Sequence, residues 1–289
     1  MTAPGHHCDA SLARALESAE AFSSRAFCLA AADLYPDKGI RAVDVGGGVA
    51  KFYGPSDPIN SVKGVGLNGP VNADEWSAVE LLFHESGSPV VVDLCPFADG
   101  SFTAMLSERG YTIAAFETVT FRSLLDPLPG SPAMQSEIEL KVVSLSDGDA
   151  IAAWGRVVDV GFADGGEPMR FTVDIARVRA HMAAREGGSR PSMLLATVRG
   201  EPAGGAALSI TDVGDLRIAH MSGAAVLPQF RKRGIQSALT SARLRIARDA
   251  GVQYAKLDVI AGSVSHRNAE RAGFRVAYTR PQVVKPAPK

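Results

Sequence analysis

Residues 220–251, HMSGAAVLPQFRKRGIQSALTSARLRIARDAG, decide how the rest of the chain is read. Small and apolar residues at Gly223, Ala224, Ala225 and Val226 suit a strand covered on both faces. Pro228 removes a backbone donor and ends it. From Ile235 the apolar positions recur as Ile235, Ala238, Leu239, Ala242 and Ile246, with Arg243, Arg245 and Arg248 off that stripe. Gly251 stands where a helix C-cap belongs. The stretch therefore predicts a buried strand, a basic loop and an amphipathic helix.

The loop carries the chemistry. Arg231, Lys232 and Arg233 crowd the first turn of a helix, whose N-terminus already presents free N–H groups and positive dipole potential. That arrangement costs helix stability unless an anion is received there, and a phosphate or pyrophosphate would take up both the N–H groups and the charge. Gly234 permits close backbone approach or a positive φ. Neither G-x-G-x-x-G nor G-x-x-x-x-G-K-[ST] is present. On its own, the loop reads equally as a plain basic helix start on a surface.

The segment resembles motif A of the GCN5-related N-acetyltransferase superfamily, whose loop after a strand reads R/Q-x-x-G-x-G/A. Here that loop is Arg231-Lys232-Arg233-Gly234-Ile235-Gln236, and Gln236 departs from the pattern in place of a small residue. Outward from it, residues 137–280 read β-α-α-β-β-β-α-β-α-β, which resembles the superfamily's order. The pieces are a strand at 137–145, helices at 147–160 and 173–184, and a hairpin of 193–198 and 203–210. The strand–loop–helix above follows, then a strand at 254–260, a helix at 265–272 and a strand at 274–278.

The preceding part has a similar texture. One or two helices are expected over 11–34, with Leu12, Leu16, Ala19 and Phe22 along one face, then short strands broken by Gly46-Gly47-Gly48, Pro55, Pro58, Gly64 and Gly66. Asn72 or Asp74 caps a helix running to Phe83, and a buried strand, a helix and another strand follow. LDPLPGSPAMQS, residues 125–136, holds three prolines without periodicity and reads as a linker. The segments 90–116 and 254–278 match in order: a strand with Asp93 or Asp258, a helix ending Glu-Arg, a Gly-aromatic pair, then Phe116 or Tyr278. This indicates an internal duplication. The copies differ at the loop, where LPQFRKRGIQ is answered by LNGPVNADEW. Asp74 and Glu75 in that first turn would repel a pyrophosphate.

The expected fold is α/β (α+β), with two acyl-CoA N-acyltransferase-like domains. Each is a twisted mixed sheet flanked by helices, or the two share a sheet through their edges. Residues 1–130 form a degenerate copy without a coenzyme loop, structural in role or a wall of the acceptor pocket. Residues 137–289 form the catalytic copy.

Composition narrows the classes. Of 289 residues 46% are hydrophobic and 21% charged, and the net charge is −1, as for an ordinary globular protein. From Arg217 onward there are 14 Lys and Arg against 3 Asp and Glu, but no interleaved aromatic platform, so a small polyanion is expected rather than nucleic acid. Such binding to DNA or RNA would show itself by a steep salt dependence. Cys8, Cys28 and Cys95 are scattered, without a C-x-x-C pair, so no disulfide framework or metal site is expected. No apolar run reaches membrane-spanning length and no leader pattern is visible, giving a cytoplasmic expectation.

What the resemblance implies is acetyl transfer from acetyl-CoA to a primary amine of a small molecule or peptide by direct attack, without metal. Backbone groups of Ala225, Val226 and Leu227, on a strand splayed from its neighbour, would pair with the pantetheine amides. Residues Arg231, Lys232, Arg233, Gly234, Ile235 and Gln236 would hold the pyrophosphate. Asp258, His266 and His220 compete as the base that must deprotonate the amine. Asp258 has a counterpart, Asp93, in the copy without a loop, which suits a structural role, and His266 suits a cap or surface. His220 lies six residues before Val226, on an extended strand facing with Ser222, Ala224 and Val226. Relatives often place a Glu or His base there. A core histidine satisfied by hydrogen bonds is the alternative. The tyrosine many relatives carry four residues before the Gly-Phe pair is Ala269 here, while Ser265 matches the serine of another branch and could protonate the departing thiolate. The acidity of Asp164, Glu167 and Asp174 over the acceptor site would suit a cationic amine, with plain solvated surface charge as the alternative. The other class that fits is a non-catalytic CoA- or nucleotide-binding sensor or partner module.

Overall fold

The computed structural model describes residues 7–128, 137–163, 167, 171, 173–185 and 189–288. Helix α1 (Ala10–Leu34) opens the chain, capped by Asp9, which accepts from Leu12 N. Strands β1 (Arg41–Val45), β2 (Gly48–Phe52) and β3 (Ser61–Lys63) precede α2 (Ala73–His84), β4 (Val90–Asp93), α3 (Gly100–Glu108) and β5 (Thr112–Ser123). The second half runs β6 (Ile138–Val142), α4 (Gly148–Ala163), α5 (Ile175–Ala184), β7 (Ser189–Val198), β8 (Glu201–Val213), β9 (Leu216–Val226), α6 (Ile235–Asp249), β10 (Tyr254–Val259), α7 (Val264–Arg271) and β11 (Arg275–Lys285). The expected linker is described only to residue 128, and Asp164 lies outside the described residues.

All eleven strands join one mixed sheet, ordered β1-β2-β3-β4-β11-β5-β10-β9-β8-β7-β6. The halves are thus joined through a continuous sheet, and the junction is a reciprocal exchange. β11, the last strand of the second half, lies between β4 and β5, while β5, the last strand of the first, lies between β10 and β11. A cut in the chain between the halves would not divide the sheet. The parallel pairs β3–β4 and β9–β10 flank this centre symmetrically. The duplication also shows in the helix ends. Gly110 and Gly273 both have φ +81°, and the next residue, Tyr111 or Phe274, donates back to Leu106 or Ala269 at 3.0 Å. Both are Schellman caps.

Helices α1, α4 and α5 cover one face of the sheet, and α2, α3, α6 and α7 the other. Trp76, Phe83 and Phe102 of α2 and α3 pack on Ala50, Phe52, Val62 and Val92. Leu239 of α6 packs among residues of the second half, and Leu244 among residues that include Leu124 just past the end of β5. Of the apolar stripe expected on α1, Leu12, Leu16 and Ala19 are buried and Phe22 is exposed; Glu17 and Glu20 are buried instead. Arg243, expected at the surface of α6, is also buried, and desolvation lowers it to about 9. It donates to Ala207 O at 3.1 Å and Ser222 O at 3.4 Å, carbonyls freed by a bulge in β9.

Candidate functional site

That bulge and the end of β9 shape the site. β9 and β10 pair in parallel at Tyr254↔Ile218, Ala255↔Ala219 and Lys256↔His220, and the pairing stops there. Beyond His220, β9 stays on β8 as far as Val226↔Gly204, and β10 stays on β5 as far as Val259↔Thr118. The two strands splay apart with His220 at the fork. Leu227 donates its N–H to Ala203 O at 2.9 Å, so that group is engaged with β8. Alternation along an antiparallel pair turns the groups of Ala225 the same way and those of Val226 to the open side. Val226 O accepts from Arg231 Nε at 3.2 Å.

The register shifts between Gly205/Ala207 on β8, where Gly223, at φ +58°, is taken up as an extra residue in β9. The side chains therefore change sides: His220, Ser222 and Ala225 face α4, whereas Ala224 and Val226 pack with the α6 cluster. The expected shared face of His220, Ser222, Ala224 and Val226 ends at Ser222. A glycine inside a strand was the available signal.

After a short 3-10 turn, Pro228–Phe230, the basic loop enters α6. Arg231 is extended at φ −64°, and Lys232 at +64° and Gly234 at +81° are left-handed. Positive φ falls on Lys232 as well as on the expected glycine. Gly234 N-caps α6 with no side-chain hydrogen bond. Every other α-helix is closed by a side chain: Asp9, Asn72, Asp99, Asp147, Asp174 and Ser263 each accept from first-turn N–H groups. At α2 the Asn72 cap takes both Asp74 N and Glu75 N, and β3 stops at Lys63 without a splayed extension. In the basic loop, Arg231 turns back to Val226 O and to Gly161 O on α4, the latter at 3.2 Å, and Arg233 lies 5.6 Å from the Phe230 ring centre.

A cavity of about 970 Å3 opens beside the fork, on the α1, α4 and α5 side, lined by residues of both halves. His220 and Ser265 both line it. His220 Nε2 stands 3.2 Å from Asp258 Oδ2, with Nε2–H as the donor. Asp258 binds side chains rather than backbone, Lys256 Nζ at 2.7 Å being the second. Burial raises its carboxyl, but Lys256, helped by Arg280 and the His220 hydrogen bond, holds it well below the usual range. Ser265 sits in the first turn of α7, where Ser263 is the cap, and His266 accepts from Gly262 N at 3.1 Å. Ala269 is buried in the core. Asp174 caps α5, and Glu167 is exposed.

Beneath the cavity lies an ionic cluster that sequence reasoning missed. Arg280 donates to Glu17 at 2.8 Å, Glu20 at 3.0 Å and Glu117 at 2.7 Å, and Lys63 and Lys256 add contacts to Glu20. Charged residues two apart in an otherwise apolar strand, Lys256 and Asp258, were its trace in the sequence. Among the described residues, Glu20, His220 and Asp258 place ligand atoms within 4.8 Å of one another. Lys256 and Arg280 already occupy both carboxylates there, which suits an ion-paired core better than a metal site.

Comparison with known proteins agrees with this geometry. Residues 165–274 match the family model described as Acetyltransferase (GNAT) family. No curated protein matches the chain. Among solved structures, a GCN5-related N-acetyltransferase from Kribbella flavida superposes with a TM-score of 0.60 at 16% identity, over 91% of this chain and 96% of that one. A tandem GNAT protein from the clavulanic acid biosynthesis pathway gives 0.57 at 15% identity, over 75% and 70%. A relative from Sphaerobacter thermophilus gives 0.53 at 17%, over 74% and 66%. Among the described residues no helix is long and apolar enough to cross a membrane. In its second half, then, the chain matches the acetyltransferase (GNAT) family model over residues 165–274, and as a whole it has the fold of the GCN5-related N-acetyltransferases on which it superposes.

Proposed function

We propose that the protein is an N-acetyltransferase that moves the acetyl group of acetyl-CoA to a primary amine of a small molecule or peptide by direct attack. The observation that carries this reading is the fork between β9 and β10 with His220 at its apex, beside a large cavity. The α6 N-terminus, left open by Gly234, supports it. Residues 137–289 are the active copy, and residues 1–130 are a degenerate one that walls the acceptor cavity.

Val226, between Ala225 and Leu227, offers the free strand edge to the pantetheine amides. Arg231, Lys232, Arg233, Gly234, Ile235 and Gln236 receive the pyrophosphate, chiefly through backbone N–H groups and the loop's positive charge. Acetyl-CoA supplies the acyl group as an activated thioester. His220 takes the amine proton at Nδ1 while Asp258 holds the opposite nitrogen, and Ser265 returns a proton to the departing sulfur. A panel of primary amines with acetyl-CoA, read as free CoA, tests the reading. Turnover with at least one amine is expected, and His220→Ala should lower kcat by roughly a hundredfold while acetyl-CoA still binds. Binding of acetyl-CoA without turnover of any amine would favour a coenzyme sensor instead.

A further inference from the structure

The charges inside the cavity do not balance. Its interior acids are ion-paired: Glu20 and Asp258 with Lys256, and Glu117 with Arg280. Asp159 and Asp174, the other acids in the lining, are exposed. Among the described residues two interior cations have no such counterpart. Lys51, on β2, forms no hydrogen bond or ion pair among the described residues, and burial, with Lys63 nearby, lowers its ammonium to about 8. Arg179, on α5, donates from Nη2 to Ser222 Oγ at 3.1 Å and lies 5.7 Å from the Phe27 ring centre. Its Nε is buried without a partner, and no carboxylate contacts it among the described residues. Burial lowers this guanidinium to about 10.

Two unneutralised cations in one recess are costly unless a ligand brings the counter-charge. Their position relative to the fork gives that ligand a shape. Ser222, which holds Arg179, lies two residues beyond His220 on the same face of β9, before the bulge. Two residues of strand span about 6.6 Å. A group held at Arg179 is therefore separated from the proton acceptor by several bonds.

We propose that the acceptor is an amine bearing an anionic carboxylate or phosphate several bonds from its nitrogen, with the anion held by Lys51 and Arg179 and the amine presented to His220. This rests on the acyl-transfer reading above. A guanidinium fork and an ammonium suit either oxyanion. An amine on the carbon next to a carboxylate would be too short to reach both ends.

Matched probes test this on the full chain in the presence of CoA, by calorimetry. 5-Aminopentanoate is compared with 5-aminopentanamide and pentylamine, and 4-aminobutyl phosphate with 4-aminobutanol. At least one probe with the distal anion should bind about tenfold or more tightly than its twins with an uncharged distal group, and which one does distinguishes carboxylate from phosphate. Lys51→Met and Arg179→Gln should each shrink that gap, and Arg179→Lys should keep part of it. The wild-type comparison needs no variant to fold. Twins with an uncharged distal group binding as well as the probes with the distal anion, or no probe showing the preference, overturns the inference. So does a gap that persists in both charge-removing variants. Failure of acetyl-CoA to bind, or of any amine to release CoA, speaks against the transferase reading instead, because the anion preference is read from binding alone.

Discussion

Asp93 and Asp258 occupy matching places in the two copies of the repeat, and both carboxylates approach Arg280 Nη2, at 3.7 and 3.6 Å. Their other partners differ. Asp93 holds Lys63 and accepts from Gln282 at 3.0 Å, whereas Asp258 holds Lys256 and His220. A residue kept by both copies pairs only with the cluster and Gln282 in one, and with the cluster and His220 in the other.

Replacing Asp258 by Asn should separate a positioning role from a structural one. The loss leaves Lys256 without one of its carboxylates, so thermal stability should fall, and His220 loses the acceptor that fixes its tautomer. The expected outcome is a kcat lowered by roughly a hundredfold, with acetyl-CoA affinity close to wild type. A drop confined to melting temperature, with kcat intact, would leave Asp258 structural only.

Acid should destabilise the protein through the same cluster. Burial opposes ionisation of Glu20 and Asp93, but Arg280 with Lys256 and Lys63 for the first, and Lys63 with Arg280 for the second, lower both, as they do Asp258. For a lowered folded-state pKa, the unfolded chain protonates first. The stabilisation is therefore complete above the unfolded values of about 3.9 and 4.3 and is lost as pH falls towards the folded ones. Glu117, raised by burial and by Asp258, works in the opposite direction. Urea midpoints should fall steadily from pH 5 to pH 3. Arg280→Met should cost about 3–5 kcal/mol at neutral pH and flatten that dependence.

Acetyl-CoA should bind once per chain, since α6 begins open and α2 begins closed by Asn72. Gly234→Val should abolish that binding at modest cost to the fold. A Cβ there meets nothing within 4 Å, so the penalty is that of φ +81°, about 1–2 kcal/mol. Calorimetry and a melting curve on the same variant check both halves of the expectation.

Gly161 of α4 lets the helix end touch β9 at the fork. A Cβ there would lie 2.6 Å from Ala225 Cβ and 3.4 Å from Val226 N. Gly161→Val should cost about 1–3 kcal/mol by overpacking and weaken acetyl-CoA binding by displacing the strand edge. Unchanged affinity would separate that edge from the coenzyme.

Much of this was legible because local rules produced it. The α6 stripe, the loop glycine and the repeated Glu-Arg helix end with its Gly-aromatic pair each reflect one helix or one turn. What was hidden depends on partners distant in sequence. Glu17 and Glu20 look like ordinary solvated acids until Arg280, more than 250 residues away, is placed between them. Arg243 looks external until the bulge carbonyls need a donor. The bulge itself, one extra residue at Gly223, reversed the faces of Ala224 and Val226, which a strict two-residue period cannot foresee.

The exchange of β5 and β11 also sets a timetable. β11 follows every other strand in the chain, so during synthesis β4 and β5 stand with an empty lane between them until residues 275–285 arrive. The first half cannot mature on the ribosome ahead of the second, and it waits with exposed edges that invite aggregation. By the same logic, two polypeptides cut between β5 and β6 would each hold the strand the other lacks, and mixing them could rebuild the molecule where neither piece alone persists.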